Sequence, residues 1–415
     1  MNLLIFPQYP YPANHAVVNT VFENMLPARG HVVHMVRPVP GLTSVQRIPA
    51  PWGSGSIIGF PDEPVGGRLS NVMRTWRQAR WVAAATRELR DVPLDAMLVR
   101  NDLVAASAAA AEARRRDIPF VYQLSSPDAE FTITRGHERG GLSGAYMRVR
   151  GRAGLASRRR LSRQAAAVLA ISTSMRDHVV AEDGLSAARV FSFPMGVLDV
   201  TTSSPDEIDA LRARLSLPRD RTMVFSGVLD PVRQPGWMLD VFDLVRARVP
   251  GAAFLVITYQ TDDRRRLFEE DARRRNADVR VVGPVPFRDV SSYLRCADVA
   301  ISSYRPMLEH KVASPTKTWE ALCAGVPVVG NAEVDEHAEF LEASGGGVCV
   351  RWDRAEFADA IVALMQEPER RRRMGEVGRQ WALAHRSYSH LTEYLERILV
   401  ASRDPAALVA LPHEP

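Results

Sequence analysis

Residues 314–330 constrain this chain more than any other stretch: Ser-Pro-Thr-Lys-Thr-Trp-Glu-Ala-Leu-Cys-Ala-Gly-Val-Pro-Val-Val-Gly. The pattern is a short helix delivered directly into a buried strand. Ser314 suits an N-cap, because its hydroxyl can accept from the free amides of a first turn. Pro315 suits the first helical position, where no N–H is needed and φ is already helical. Gly325 ends the helix in a conformation closed to most side chains. Pro327 stops it from resuming, and Val326, Val328 and Val329 read as a strand. A helix start of this kind offers unpaired N–H groups and a partial positive charge, which together make an anion site. Lys317 adds a full charge, with Thr316 beside it, and Glu320 stands on a neighbouring face suited to accepting from hydroxyls. A diphosphate joined to a ribose satisfies all of these features.

The rest of the chain supplies a setting for that helix. At 415 residues it exceeds one ordinary core, so two domains are expected. In the first half, strand patterns at 2–6, 32–37, 96–99, 120–124, 167–171 and 189–193 alternate with helical ones. In the second half, strands at 222–226, 253–257, 279–282, 298–302 and 348–350 do the same. Alternation of this kind is the signature of parallel sheets with crossover helices, an α/β class. Ligands of such sheets sit beyond the carboxyl ends of the strands. Arg100, Asn101 and Asp102 follow one strand of the first half, and Ser125 and Ser126 follow the next. Residues 38–70, rich in proline and glycine, carry no clear pattern. Residues 71–90 read as an amphipathic helix with Trp76 and Trp81 on its buried side.

The central stretch resembles the donor-binding helix of family 4 glycosyltransferases, retaining enzymes of the two-Rossmann-domain GT-B fold. Their pattern there is Ser-Pro-x-Lys-x-x-Glu followed by Ala-x-Gly-x-Pro-Val-Val. Further matches support it. Residues 227–233, Gly-Val-Leu-Asp-Pro-Val-Arg, resemble the family's Gly-Arg-Leu-x-x-x-Lys loop, and Pro194-Met195-Gly196-Val197 resembles its Pro-Asn-Gly-Val. Gly283-Pro284-Val285-Pro286 resembles the turn against which the nucleotide base rests. The resemblance implies a GT-B architecture of two Rossmann-like parallel-sheet domains facing a cleft, with a C-terminal helix crossing back to the first. It implies an acceptor-binding domain at 1–200, a nucleotide-sugar domain at 201–385, and a crossover helix and tail at 386–415. Donor-side candidates are Arg233, Ser314, Thr316, Lys317 and Glu320. In the first domain, Asn14 and His15 are acceptor-side candidates, or else they cap a helix at the surface.

Three departures from the family bear on chemistry. Val228 replaces the first of two diphosphate-binding cations. Val312 stands where many members have a second glutamate near the donor sugar, and Ser125 stands near a common histidine position. No catalytic nucleophile or base is assigned. The activity implied is sugar transfer from a nucleotide-diphosphate sugar to a glycan, lipid-linked or small-molecule acceptor, with retention. Neither metal nor other cofactor is expected, since no Asp-x-Asp pair lies in a suitable loop. The alternatives are a nucleotide-sugar epimerase of the same fold and a non-catalytic sugar-nucleotide-binding partner.

Charge adds one more feature. The net charge of +5 favours an anionic partner without naming it, and no nucleic acid is expected. Residues 135–163 hold nine arginines, Arg135 and Arg163 at the ends, against the single acid Glu138, with Tyr146, Met147 and Leu155 interleaved. This segment is either a surface that docks on anionic lipid or a solvated arginine face. Cys296, Cys323 and Cys349 show no metal or disulfide spacing, and no signal sequence or membrane span is recognisable. A cytoplasmic protein, peripheral at the inner face of the membrane, is the expectation.

Overall fold

A computed structural model describes residues 1–13, 15–62, 70–199, 203–231 and 233–415. Its fourteen strands, among the described residues, form two sheets. In chain order they are β1 Asn2–Phe6, β2 Val32–Val39, β3 Gln46–Pro49, β4 Gly55–Pro61, β5 Ala96–Arg100, β6 Phe120–Leu124, β7 Ala167–Ala170 and β8 Val190–Ser192. The second set is β9 Thr222–Ser226, β10 Ala253–Ile257, β11 Val279–Val282, β12 Val299–Ser302, β13 Val328–Asn331 and β14 Gly347–Val350. Two compact units follow: Met1–Pro194 with Tyr388–Pro415, and Met195–Ser387.

The first unit has the order β3-β4-β2-β1-β5-β6-β7-β8, parallel apart from β3, which runs antiparallel to β4 at the edge. The β3–β4 pair lies inside the stretch that carried no readable pattern. The helix Ser70–Arg87 forms as expected, but Trp76 is 64% exposed and only Trp81 is partly covered, so the expected buried side is corrected. The covered face is instead built from Val82, Ala85 and Thr86, small enough to lie close to the sheet. The last long helix, Tyr388–Ala401, belongs to this unit, where the Glu396 carboxylate takes His31 at 2.9 Å and Arg29 at 2.7 Å.

The second unit has the order β11-β10-β9-β12-β13-β14, wholly parallel. Counted within the unit this is 3-2-1-4-5-6, the doubly wound order whose switch point falls between the first and fourth strands. Strand side chains alternate between two cores. Met223, Phe225, Phe254 and Val256 face one, with Trp237 and Phe357. Val224, Ala253, Leu255 and Ile257 face the other, with Trp319, Ala321 and Leu322. The helix Thr316–Cys323 is thus bolted to the sheet by its apolar side, while its start is aimed at the switch point.

Candidate functional site

Three loops follow strands at the carboxyl edge of this sheet. The first follows β9 and is tied down by backbone: Leu229 N–H donates to Gln260 Oε1 at 2.5 Å, and Gly227 N–H to the Ile257 carbonyl at 2.9 Å. Arg233, at its end, pairs with Asp230 at 3.0 Å and remains about a third exposed. The second follows β12, where Asn331 clamps Tyr304 by accepting its N–H at 2.9 Å and donating to its carbonyl at 3.0 Å. The third is the turn after β11. Gly283 is required there, since a Cβ would lie 1.8 Å from the Thr258 carbonyl oxygen.

Lys317 sits between the end of β9 and the loop after β12. Its Nζ lies 4.2 Å from the Tyr304 ring centroid and 4.5 Å from that of Phe225, so the ammonium is held between two aromatic faces. Among the described residues it has no ion pair. Burial, and then the neighbouring Arg233 charge, hold its pKa well below the usual lysine range. His310 is affected in the same way: burial, then Arg233 and Lys317, bring it down to about 4, and its Nδ1 bonds the Arg305 carbonyl at 2.7 Å. The site is a cationic niche that strains against its own charge.

Glu320 is one turn further along. Desolvation pushes its carboxyl up to about 7, with Lys317 opposing. It lines a narrow pocket whose other walls include Gly196, Phe287, Val290, Leu294 and Cys323. An acid on the rim of an apolar slot, beside a cationic niche, is a geometry able to hold a sugar hydroxyl pair next to a flat ring and a diphosphate.

One expectation about this helix needs correction. Ser314 is not its N-cap: the helix runs from Thr316 with Pro315 as N-cap, and no side chain caps it. The reason is a stronger acceptor. Glu336, buried behind the helix, takes the Ser314 hydroxyl at 2.9 Å, while Ser314 Oγ accepts from Met195 N–H at 3.0 Å. The first turn is therefore left uncapped, with Thr316 at its first position. Thr318, on the same helix, faces the interior. It is fully buried, and its hydroxyl bonds Ser302 at 2.7 Å and His337 Nε2 at 2.8 Å. His337, which burial brings down to about 3, is neutral there.

Sequence reading missed Phe225, Tyr304, Glu336 and Arg386. Nothing in the chain marks an aromatic pair 79 residues apart as a lysine cradle, or ties Glu336 to an arginine fifty residues later. Glu336 also accepts from Trp319 Nε1 at 3.3 Å and pairs with Arg386 at 3.3 Å. The Arg386 guanidinium is itself stacked between Trp319 and Phe340, at 4.6 and 4.7 Å.

In the first unit, the carboxyl ends of the strands carry a second polar group. His15 stacks on Tyr9 with centroids 4.5 Å apart and its Nε2 lies 3.3 Å from Arg100. Asn101 accepts from Ser125 N–H at 2.7 Å and donates to Gln8 Oε1 at 3.0 Å. Asn14, the other acceptor-side candidate, lies outside the described residues. The Pro7–Tyr11 segment is fixed from below by buried Arg37, which donates to the Tyr9 carbonyl at 3.1 Å and the Pro10 carbonyl at 2.8 Å and pairs with Glu23 at 2.5 Å.

Comparison with known proteins places both units. A family model described as glycosyl transferases group 1 matches residues 220–367, and one described as glycosyl transferase 4-like domain matches residues 21–196. No curated protein sequence matches the chain. Among solved structures, sucrose-phosphate synthase from Thermosynechococcus elongatus aligns with a TM-score of 0.74 at 16% identity, over 97% of this chain and 100% of that one. Anabaena HepE in complex with UDP-glucose aligns with a TM-score of 0.68 at 15% identity, over 97% and 100%. The α,α-trehalose 6-phosphate synthase from Burkholderia multivorans aligns with a TM-score of 0.67 at 13% identity, over 99% and 100%. At these identities the structures speak for the fold, and the two family models, together spanning both units, speak for the lineage. The chain belongs to the family 4 glycosyltransferases, GT-B enzymes that use nucleotide-sugar donors.

Proposed function

We propose that the second unit holds the donor diphosphate between Arg233, Lys317 and the uncapped first turn at Thr316, and the donor ribose on Glu320. The observation that carries this reading is Lys317, a lysine with no ion pair among the described residues, pressed by Arg233 and cradled by two aromatic rings. Such a niche is relieved by an anion that arrives with its own charge. The base then lies in the pocket beside Glu320, against Phe287 and Val290.

The chemistry follows from that placement. The bond between the sugar's anomeric carbon and the diphosphate oxygen breaks, leaving an oxocarbenium-like sugar and a growing negative charge on the diphosphate. Arg233 and Lys317 stand where that charge develops, so side chains supply the stabilisation that a metal provides elsewhere. Ser314 supports the site from behind through Glu336 rather than by touching the donor. The configuration at the sugar is retained, and the acceptor, a glycan, lipid-linked sugar or small molecule, binds the first unit near His15. Incubation with a panel of nucleotide-diphosphate sugars, following nucleoside-diphosphate release, tests the reading. Release from one donor class that depends on Lys317 supports it. Donor binding without release, or interconversion of the sugar while still attached, would contradict it.

The arginine-rich segment fits a membrane-associated acceptor. It forms two helices, Asp128–Arg139 and Gly141–Gln164. Their backbones approach closely at Gly136 and Gly144, where an added Cβ on Gly144 would lie 2.3 Å from the Gly136 carbonyl oxygen. Not all nine arginines face outward. Arg158 is buried on Asp183 and Glu130, both at 2.8 Å, and Arg159 also reaches Asp183. Arg135, Arg139, Arg150, Arg152, Arg160 and Arg163 remain exposed. Beside them Leu142, Tyr146 and Val149, at 92%, 50% and 64% exposure, form an i, i+4, i+7 stripe on one helix face. A basic face with an apolar stripe suits the interface of an anionic leaflet, at about 1 kcal/mol per arginine near the surface. No helix among the described residues is long and apolar enough to cross a membrane. The protein should bind vesicles of acidic lipid at low salt and release as salt rises. Equal binding to neutral vesicles, or none to either, would remove the membrane from the account.

A further inference from the structure

Arg100 ends β5 with only 3% of its surface exposed, yet its partners are all neutral. Its Nη1 donates to Gln8 Oε1 at 3.2 Å and Tyr9 Oη at 3.3 Å, its Nη2 faces His15 Nε2 at 3.3 Å, and its Nε has no partner. Among the described residues no carboxylate lies within 4 Å of it. The adjacent Asp102 is turned away, capping the helix Leu103–Arg116 through Val104 and Ala105 and taking Gln78. His15 brings no negative charge: burial, then Arg100, brings its imidazole down to about 3, so it is neutral. A buried guanidinium without a counterion is costly, because its desolvation is not repaid.

The neutral oxygen that Arg100 faces is also targeted by a second donor. Asn101 Nδ2 lies 3.0 Å from the same Gln8 Oε1, with Asn101 held at a φ of 55° by its bonds to Ser125 and by Tyr122 Oη on its carbonyl at 3.1 Å. Gln8 is different in kind. Its side chain is exposed, and among the described residues these two donors alone hold it. Two fixed donors, one of them a full charge, thus converge on the movable tip of a surface glutamine.

We propose that the Gln8 amide oxygen is a placeholder, and that its position is the seat of an anionic group, phosphate or carboxylate, carried by the acceptor. The proposal rests on the first unit receiving the acceptor, as argued above, and deepens it by naming the acceptor's charge. On binding, the anionic oxygen takes the place of Gln8 Oε1, receives Arg100 Nη1 and Asn101 Nδ2, and supplies the missing counterion. Gln8 swings into solvent.

The test needs no turnover, so it stands apart from the donor assignment. In the full chain carrying Arg233→Ala and Lys317→Ala, which removes the cations of the second unit, thermal melting is followed against inorganic phosphate and, separately, acetate. At least one of the two should still raise the melting temperature, and the tighter of them identifies the anion class. Adding Gln8→Glu places a carboxylate on the seat. It should raise the melting temperature with no ligand present and weaken the apparent anion affinity at least tenfold, the scale of a charge-assisted contact. Adding Gln8→Ala should instead leave that affinity unchanged or tighten it severalfold. An anion response that is the same in all three chains would overturn the proposal. So would one that is already absent in the Arg233→Ala, Lys317→Ala parent.

Discussion

Arg386→Met should destabilise the protein by about 3–5 kcal/mol at pH 8, the cost of stranding one member of a buried ion pair. Glu336 would be left 2% exposed, with only Ser314 and Trp319 to satisfy it. Trp319 and Phe340 would also lose the guanidinium stacked between them. The pH dependence has a definite sign. Burial already raises the Glu336 pKa above its ordinary value, against Arg386 and three hydrogen bonds. A raised folded pKa gives stability that is present below the unfolded value near 4.5 and is lost as pH rises through the folded one. Removing Arg386 raises the folded pKa further, so the deficit of the variant should grow from pH 5 to pH 8. Glu336→Gln added to Arg386→Met should recover most of the loss. Urea unfolding at the two pH values measures both effects. A deficit that is the same at both, or a double variant no better than the single, would mean that Glu336 is not the stranded charge.

The second large effect is on turnover. Arg233→Ala and Lys317→Ala should each lower kcat by about ten- to a hundredfold, the range expected for a lost charge-assisted contact. Ground-state binding of the donor should fall less, because charge on the leaving diphosphate is greatest in the transition state. Lys317 should be the more sensitive, since Arg233 shares its charge with Asp230. Lys311, exposed on the preceding short helix Leu308–Lys311, is the matched control and should tolerate alanine. Thr318 is not a suitable control. Thr318→Ala would leave Ser302 Oγ and His337 Nε2 only each other, at 3.2 Å, and cost about 1 kcal/mol of stability. Equal losses in kcat for Lys311→Ala and Lys317→Ala would argue against a direct role for Lys317.

How much of this could be read from the chain depends on where the information lay. The helix Thr316–Cys323 was legible because its signals are local: a proline to start, a glycine to stop, and valines to follow. The inner strands of the second unit, β9, β10, β12 and β13, were legible for the same reason, being short apolar runs buried on both faces. The β3–β4 pair was not, because Pro49, Pro51, Gly53, Gly55 and Gly59 break the apolar period that marks a strand. Ser314 was misread because its competing partner, Glu336, is 22 residues away and its pull depends on burial. Trp76 was misread because an amphipathic pattern does not say which of two large side chains the sheet will accommodate. The Lys317 cradle and the convergence of Arg100 and Asn101 on Gln8 are properties of strand order, which places the ends of β9 and β12, and of β1 and β5, side by side.

The claim that the second unit holds a nucleotide with its ribose on Glu320 is tested most directly by calorimetry with UDP and GDP on the wild-type chain and Glu320→Ala at pH 8. That pH lies above the value of about 7 to which desolvation pushes the Glu320 carboxyl, so the wild-type side chain is ionised and ready to accept from hydroxyls. The same shift provides the control for folding. Stability from a raised pKa is present below about 4.5 and lost as pH rises through 7, so at pH 8 the alanine variant should melt no lower than wild type. The account predicts that one of the two nucleotides binds wild type, and that Glu320→Ala binds it about ten- to a hundredfold more weakly with the melting temperature preserved. Unchanged affinity in a folded Glu320→Ala would contradict it.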